Sequence, residues 1–116
     1  MNGSGSIYDG GRALKAAVRP YPRKLAGEPL AMSFDFRKTI FEFTFRHEAG
    51  INAPTEIFVP EIQYPEGCHV EVSDGTFELD LPAQTLRYWH TPALEQHTVK
   101  LRPLKPVSLL KRILQA

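Results

Sequence analysis

The chain has 116 residues, of which 42% are hydrophobic, and its formal net charge is +1. This length supports one domain with its own core and is too short for two ordinary domains. The sequence has no run of about 18 apolar residues, so no membrane-spanning helix is predicted. Cys68 is the only cysteine, which excludes an intrachain disulfide and a zinc site built from cysteines.

Charge is unevenly distributed, because basic residues collect at both ends of the chain and carboxylates in the middle. Five basic residues and one acid precede Glu28, and the segment from Lys100 onward has basic residues and no acid. Such basic ends are compatible with binding to nucleic acid or to an anionic membrane. Solvated faces of terminal helices explain the same pattern, and we predict no nucleic-acid partner.

The N-terminal third is predicted to lead into a domain. Residues 1–6 have the Gly/Ser composition of a flexible segment and lack the order of a signal peptide. Together with the single cysteine, this favours a cytoplasmic location. Asp9–Val18 predicts a short helix that ends at the prolines of Arg19–Pro22, and Pro22–Pro29 predicts a connector.

Seven short segments alternate between apolar and polar residues, which is the pattern of a strand with one buried face. They are Met32–Phe36, Phe41–Arg46, Ile57–Val59, Val70–Val72, Phe77–Leu79, Thr85–His90 and His97–Leu101. Turn residues separate them, which predicts an all-β fold, an antiparallel β-sandwich of about seven strands. The first two segments carry five phenylalanines that we expect to anchor the core. Asp74-Gly75 predicts a tight hairpin that joins Val70–Val72 to Phe77–Leu79.

A second short helix is predicted at Pro106–Leu114, with apolar residues on one side and basic residues on the other. The sandwich therefore has a short helix at each end. The predicted organisation is a flexible start, helix and linker over residues 1–27, the sandwich over 28–104 and the C-terminal helix over 105–116.

No catalytic residue, metal site or cofactor is predicted from the polar residues. Glycoside hydrolysis needs two carboxyl groups roughly 5–9 Å apart. Six carboxylates on the predicted strands could approach this spacing, but their alternation fits a solvated sheet face: Glu42, Glu56, Glu61, Glu71, Glu78 and Asp80. The four histidines lack the local spacing of metal ligands, and we interpret each as an exposed or hydrogen-bonded side chain near a strand end.

Aromatic side chains supply the candidate contact residues. Tyr64, Tyr88 and Trp89 are expected to reach the surface, where they would stack on sugar rings or pack beneath a neighbouring domain. Tyr21 beside the predicted linker is the fourth candidate. We predict that these four residues make an interdomain or sugar contact.

Several motifs resemble one group within glycoside hydrolase family 5, the endoglycoceramidases and related glucosylceramide- and steryl-glucoside-cleaving β-glucosidases. The junction motifs are Asp9-Gly-Gly-Arg-Ala-Leu and Val18-Arg-Pro-Tyr-Pro. The sandwich motifs are Pro54-Thr-Glu-Ile-Phe-Val-Pro60, Tyr64-Pro65-x-Gly67 and Val70-Glu-Val-Ser-Asp-Gly75. The resemblance runs from about Tyr8 to Leu101.

The resemblance implies a C-terminal β-sandwich that follows a catalytic (β/α)8 barrel in a retaining β-glycosidase. In that group both catalytic glutamates lie on the barrel, and the acid/base follows an Asn. Here Asn2 and Asn52 are followed by Gly and Ala, so no catalytic residue is carried over and the chain alone is predicted not to be an enzyme. The implied role is an accessory domain that packs on the barrel, in cis or as a separate chain, and stabilises it.

Two other functions remain open at this point. One is a free-standing module that binds carbohydrate or a glycolipid-bearing membrane surface through its aromatics and its basic C-terminal helix. The other is an independent hydrolase, which would have to turn over a glucosylceramide or aryl glucoside by itself.

Overall fold

The computed structural model describes residues 18–104. The helices predicted at Asp9–Val18, apart from Val18 itself, and at Pro106–Leu114 lie outside the described residues, as does the Gly/Ser-rich start. Eight strands follow in chain order: β1 (Tyr21–Lys24), β2 (Gly27–Asp35), β3 (Ile40–His47), β4 (Thr55–Phe58), β5 (Cys68–Val72), β6 (Thr76–Asp80), β7 (Thr85–Trp89) and β8 (Gln96–Pro103).

The strands form two antiparallel four-stranded sheets. The first sheet has the order β1-β4-β7-β6 and the second the order β2-β3-β8-β5. The predicted all-β antiparallel sandwich is therefore confirmed, with one strand more than the seven expected. Between residues 18 and 104 no helix is long and apolar enough to cross a membrane.

The core lies between the two sheets and is built from their alternating inward residues. Phe41, Phe43 and Phe45 on β3 are buried and stack in a row, with ring centres 6.5 and 5.7 Å apart. The first sheet faces them with buried aliphatic and aromatic side chains from β4 and β7: Ile57, Leu86 and Tyr88. Each of these large side chains contributes about 1.5–3 kcal/mol by leaving water. Three of the five phenylalanines expected to anchor the core therefore do so, whereas Phe34 and Phe36 are only half-buried.

The predicted connector Pro22–Pro29 is wrong, because most of this segment belongs to strands. Residues 21–24 form β1 and residues 27–29 begin β2. Proline lacks the N–H that a central strand must donate, but an edge strand tolerates it. β1 and β2 are the edge strands of their sheets, which explains why Pro22 and Pro29 are accommodated.

The predicted hairpin at Asp74-Gly75 is also wrong. β5 pairs with β8 in the second sheet, whereas β6 pairs with β7 in the first sheet. The turn between them therefore carries the chain from one sheet to the other. Gly75 has φ +79°, and a Cβ atom there would lie 2.0 Å from the Trp89 carbonyl oxygen. Glycine is required by this close approach of two backbones.

Candidate functional site

Tyr64 and Tyr88 lie in the core, so the prediction that they reach the surface is wrong. Tyr64 is 3% exposed and Tyr88 is 0% exposed. The Tyr64 hydroxyl donates to the Thr39 carbonyl oxygen at 2.9 Å, and the Tyr88 hydroxyl donates to the carboxylate of Asp74 at 2.8 Å. Each ring fills the core while its hydroxyl finds a partner, which is how buried tyrosines are ordinarily accommodated.

Tyr21 and Trp89 do reach the surface, on the outer face of the first sheet. Tyr21 is 45% exposed and packs on Phe58 with ring centres 5.3 Å apart. The Arg23 guanidinium carbon lies 4.4 Å from the centre of the same Phe58 ring. Trp89 is 37% exposed and lies at the opposite end of this face, at the end of β7. The fold thus separates the two surface aromatics and gives them different neighbours.

One side of the sandwich leaves apolar side chains only partly covered. β1 and β2 are consecutive edge strands of the two sheets, joined by Leu25 and Ala26 alone. Met32 pairs with Phe43 on the core-facing side of β2, yet it is 55% exposed. Because neighbouring residues in register share a face, this side chain points inward where the opposite sheet does not reach.

The described chain begins beside this same side. The Arg19 guanidinium carbon lies 5.7 Å from the centre of the Phe34 ring, and Gln63 Nε2 donates to the Val18 carbonyl oxygen at 2.8 Å. We call this side of the sandwich the leading edge: it has Met32 and Phe34 on the inner face of β2, with Arg19 across Phe34, and Tyr21 on the outer face of β1. Whatever precedes residue 18 in the chain is attached next to it.

Three of the four histidines meet at the other end of the sandwich. His47 ends β3, His90 directly follows β7, and His97 is the second residue of β8. One imidazole nitrogen from each of the three residues lies within 4.8 Å of the other two. His47 Nδ1 and His97 Nε2 are 2.8 Å apart, and the rings of His47 and His90 stack with centres 4.7 Å apart. We call these three residues the histidine cluster.

Local spacing in the sequence gave no sign of the histidine cluster. His47 and His97 are 50 positions apart, and strand pairing places His97 opposite Phe45, two residues before His47. His90 comes from the other sheet. The cluster depends on the pairing of β3 with β8 and on the approach of the two sheets, and alternation patterns determine neither. His69, the fourth histidine, is exposed on β5 and lies outside the cluster.

Asp74 holds one side of the histidine cluster in place. Its carboxylate accepts from His97 Nδ1 at 2.6 Å, from the Tyr88 hydroxyl, and from both the backbone N–H and the hydroxyl of Thr91 at 2.8 Å. Burial raises the pKa of Asp74, but these hydrogen bonds from His97, Thr91 and Tyr88 outweigh it and hold the pKa far below its usual range. Asp74 is thus a charged acceptor that joins the crossover turn to β7 and β8.

His90 occupies a less polar environment than the other members of the cluster. Burial, followed by the neighbouring His97 and His47, lowers the pKa of His90. Its Nδ1 atom is buried and makes no hydrogen bond to any described residue. A neutral imidazole with an available lone pair is therefore the favoured form of this side chain.

A surface pocket of about 290 Å³ opens beside the cluster. His47, His90 and Trp89 line it together with the loop of residues 48–53 and Pro92. The candidate sugar-contacting residue Trp89 and two of the clustered histidines therefore share one solvent-accessible recess. Tyr21 lies elsewhere, at the leading edge.

Several surface carboxylates form ion pairs with arginines across the sheets. Arg87 Nη1 lies 3.0 Å from Glu78 and 3.6 Å from Asp80, and Arg46 lies 3.2 Å from Glu28 and from Glu95. This arrangement fits the predicted solvated sheet face. The depressed pKa of Asp74 is opposite to what a general acid for glycoside hydrolysis requires.

These features define an all-β sandwich domain with a partly covered edge at its chain start. The chain belongs to the family described as glycoside hydrolase family 5 C-terminal domain, whose match covers residues 19–101. The family resemblance noted from the sequence is thereby confirmed, and the chain is an accessory domain of this type.

Similar proteins include enzymes named for glycolipid hydrolysis. A glucosylceramidase from Aspergillus fumigatus is 35% identical over 107 residues, which covers 83% of this chain and 14% of the relative. Endoglycoceramidase I from Rhodococcus hoagii is 40% identical over 75 residues, 63% of this chain and 15% of the relative. The crystal structure of Cryptococcus neoformans sterylglucosidase 1 superposes with a TM-score of 0.75 and 28% identity, over 83% of this chain and 15% of that chain. The match therefore spans about one seventh of each of these proteins.

Proposed function

We propose that this domain is the non-catalytic C-terminal part of a family 5 glycoside hydrolase that acts on glycolipids of the glycosylceramide or steryl glucoside class. The observation that carries the proposal is the family match over residues 19–101 together with relatives named glucosylceramidase, endoglycoceramidase and sterylglucosidase. The whole enzyme is proposed to be a retaining β-glycosidase, with both catalytic carboxylates on its barrel.

The domain's work in this proposal is to pack on the catalytic barrel in cis and to stabilise it. The barrel precedes the domain in the chain, so it is attached beside Val18. The leading edge offers exposed apolar surface at that point through Tyr21 and Met32. Burial of apolar surface is favourable by about 25 cal/mol per Å², so docking of the barrel at this edge would be stabilised.

The proposal has a direct genetic test. The transcript upstream of the Met1 codon should be read together with the genomic DNA. A continuous frame that encodes a (β/α)8 barrel with an Asn-Glu motif is the expected result. A stop codon followed by a genuine start at Met1 would contradict docking in cis.

A second candidate function is a carbohydrate-binding module, which the position of Trp89 on the rim of a pocket favours. Isothermal titration of the 116-residue chain with glucosides tests it. Binding that is lost in Trp89→Ala and kept in Tyr21→Ala would favour this module. Absence of binding in the unaltered chain would favour the packing role.

A further inference from the structure

The histidine cluster has the composition of a metal site. Histidine is the most common metal ligand in proteins, and its imidazole suits zinc, copper, nickel and iron. Three imidazoles from β3, β8 and the end of β7 converge, and each places one nitrogen within 4.8 Å of a nitrogen of the other two. Zinc binds imidazole nitrogens at about 2.0–2.1 Å, which places the nitrogens of one ion about 3.4 Å apart in a tetrahedral site. To reach this separation, the 2.8 Å contact between His47 Nδ1 and His97 Nε2 would have to widen and the His90 ring would have to move toward them.

Asp74 prepares His97 for metal binding. A carboxylate only accepts hydrogen bonds, so His97 Nδ1 donates to Asp74 at 2.6 Å. In the neutral ring this leaves a lone pair on Nε2, which accepts from His47 Nδ1 at 2.8 Å. A metal ion would take the place of that proton, which would move to His47 Nε2 or to solvent. Histidine ligands commonly donate their second nitrogen to a carboxylate in this way, which fixes the ring and makes the ligating nitrogen more basic.

His90 and the adjacent pocket provide two further features of a metal site, an unpartnered ligand atom and access from solvent. The Nδ1 atom of His90 is buried and has no hydrogen-bond partner among the described residues, an unfavourable state that a bound ion in the cluster would relieve. The pocket lined by His47 and His90 gives an ion a path from solvent. His97, which is 0% exposed, closes the inner side.

We propose that His47, His90 and His97 bind one divalent transition-metal ion, with Zn²⁺ as the expected occupant and Asp74 as the carboxylate that orients His97. The three imidazoles would leave the fourth tetrahedral position to water or another group. Because His90 comes from the first sheet and His47 and His97 from the second, the ion would link the two sheets at this end of the sandwich.

The test uses the full 116-residue chain, prepared without a polyhistidine tag, and Zn²⁺ as the probe. Isothermal titration calorimetry is expected to show one ion per chain with a Kd of about 1 µM or below. His47→Ala and His90→Ala should each weaken binding at least tenfold. His69→Ala is the matched control, because it removes an exposed histidine outside the cluster and should leave the Kd unchanged.

A measurement on the unaltered chain guards against variants that fail to fold. In imidazole ¹H–¹⁵N correlation spectra, one equivalent of Zn²⁺ should shift the signals of three histidines and leave those of His69 in place. Absence of binding, equal affinity in His90→Ala, or a shift at His69 instead of the cluster would overturn the proposal. In those cases the cluster would be a hydrogen-bonded part of the core.

Discussion

The Asp74 carboxylate accepts more hydrogen bonds than the carboxylates that form surface ion pairs. It is 11% exposed and accepts hydrogen bonds from side chains or backbone of Ser73, Tyr88, Thr91 and His97. Removal of the carboxylate would leave several of these donors buried without a partner, and each such group costs about 1–3 kcal/mol. The crossover turn therefore depends on this one side chain.

We expect Asp74→Ala to lower the free energy of unfolding by about 3 kcal/mol or more. The matched control is Asp35→Ala in the β2–β3 turn, where an exposed carboxylate accepts from the backbone N–H groups of Arg37 and Lys38. Loss of this local cap should cost about 1 kcal/mol. Urea unfolding measures both, and an equal loss in the two variants would show that Asp74 is only a turn residue.

Cys68 is expected to be an inert core thiol. It is 8% exposed, and burial raises its pKa to about 11. Only the thiolate reacts with disulfide reagents, and at pH 8 very little thiolate is present at that pKa. We expect the native chain to react at least about 100-fold more slowly than the same chain unfolded in urea. Similar rates in the two states would contradict the buried position.

At the scale of elements, the crossover turn between β5 and β6 is the feature that decides the topology. Gly75→Ala would place a Cβ atom 2.0 Å from the Trp89 carbonyl oxygen in addition to the strain of a positive φ. Gly50→Ala is the matched control, since Gly50 also has a positive φ, +92°, but its Cβ would meet nothing within 4 Å.

We expect Gly50→Ala to cost about 1 kcal/mol from backbone strain alone, and Gly75→Ala to cost about 3 kcal/mol or to prevent folding. Thermal and urea unfolding provide the comparison. If the two variants lost the same stability, the close contact between the turn and β7 would not be present.

The positions of most strands can be predicted from the sequence, because apolar and polar residues alternate wherever one face of a strand is buried and the other faces solvent. This pattern correctly predicts that Phe41, Phe43 and Phe45 are buried. Alternation does not reveal which strands are neighbours. Asp74-Gly75 suits a hairpin within one sheet and a crossover between two sheets equally well. The turn residues alone therefore do not reveal that β5 and β6 lie in different sheets.

The same limit explains why the sequence did not predict the residues of the candidate site. Tyr88 alternates with Arg87 and Trp89, but the sequence does not state which face is covered, and Tyr88 proved to be the buried residue. The histidine cluster depends on the register of β3 with β8 and on the approach of the two sheets. Such long-range juxtaposition leaves no trace in local spacing.

At the scale of the whole molecule, the leading edge is where docking should be sensitive to substitution. In the complete enzyme, Met32→Asp would place a charge in the proposed interface and should lower the Tm of the barrel by several degrees. Leu94→Asp is the matched control, because Leu94 is 42% exposed in the β7–β8 loop, away from the leading edge. Equal effects of the two substitutions on Tm would place the interface elsewhere.

The proposal that this domain stabilises a catalytic barrel in cis is tested most directly by differential scanning calorimetry. The complete enzyme is compared with a variant that ends before Arg19 and therefore lacks the sandwich domain. A lower Tm is expected for the truncated barrel, with its catalytic carboxylates and residual activity retained below that temperature. An unchanged Tm and unchanged activity after truncation would contradict the account.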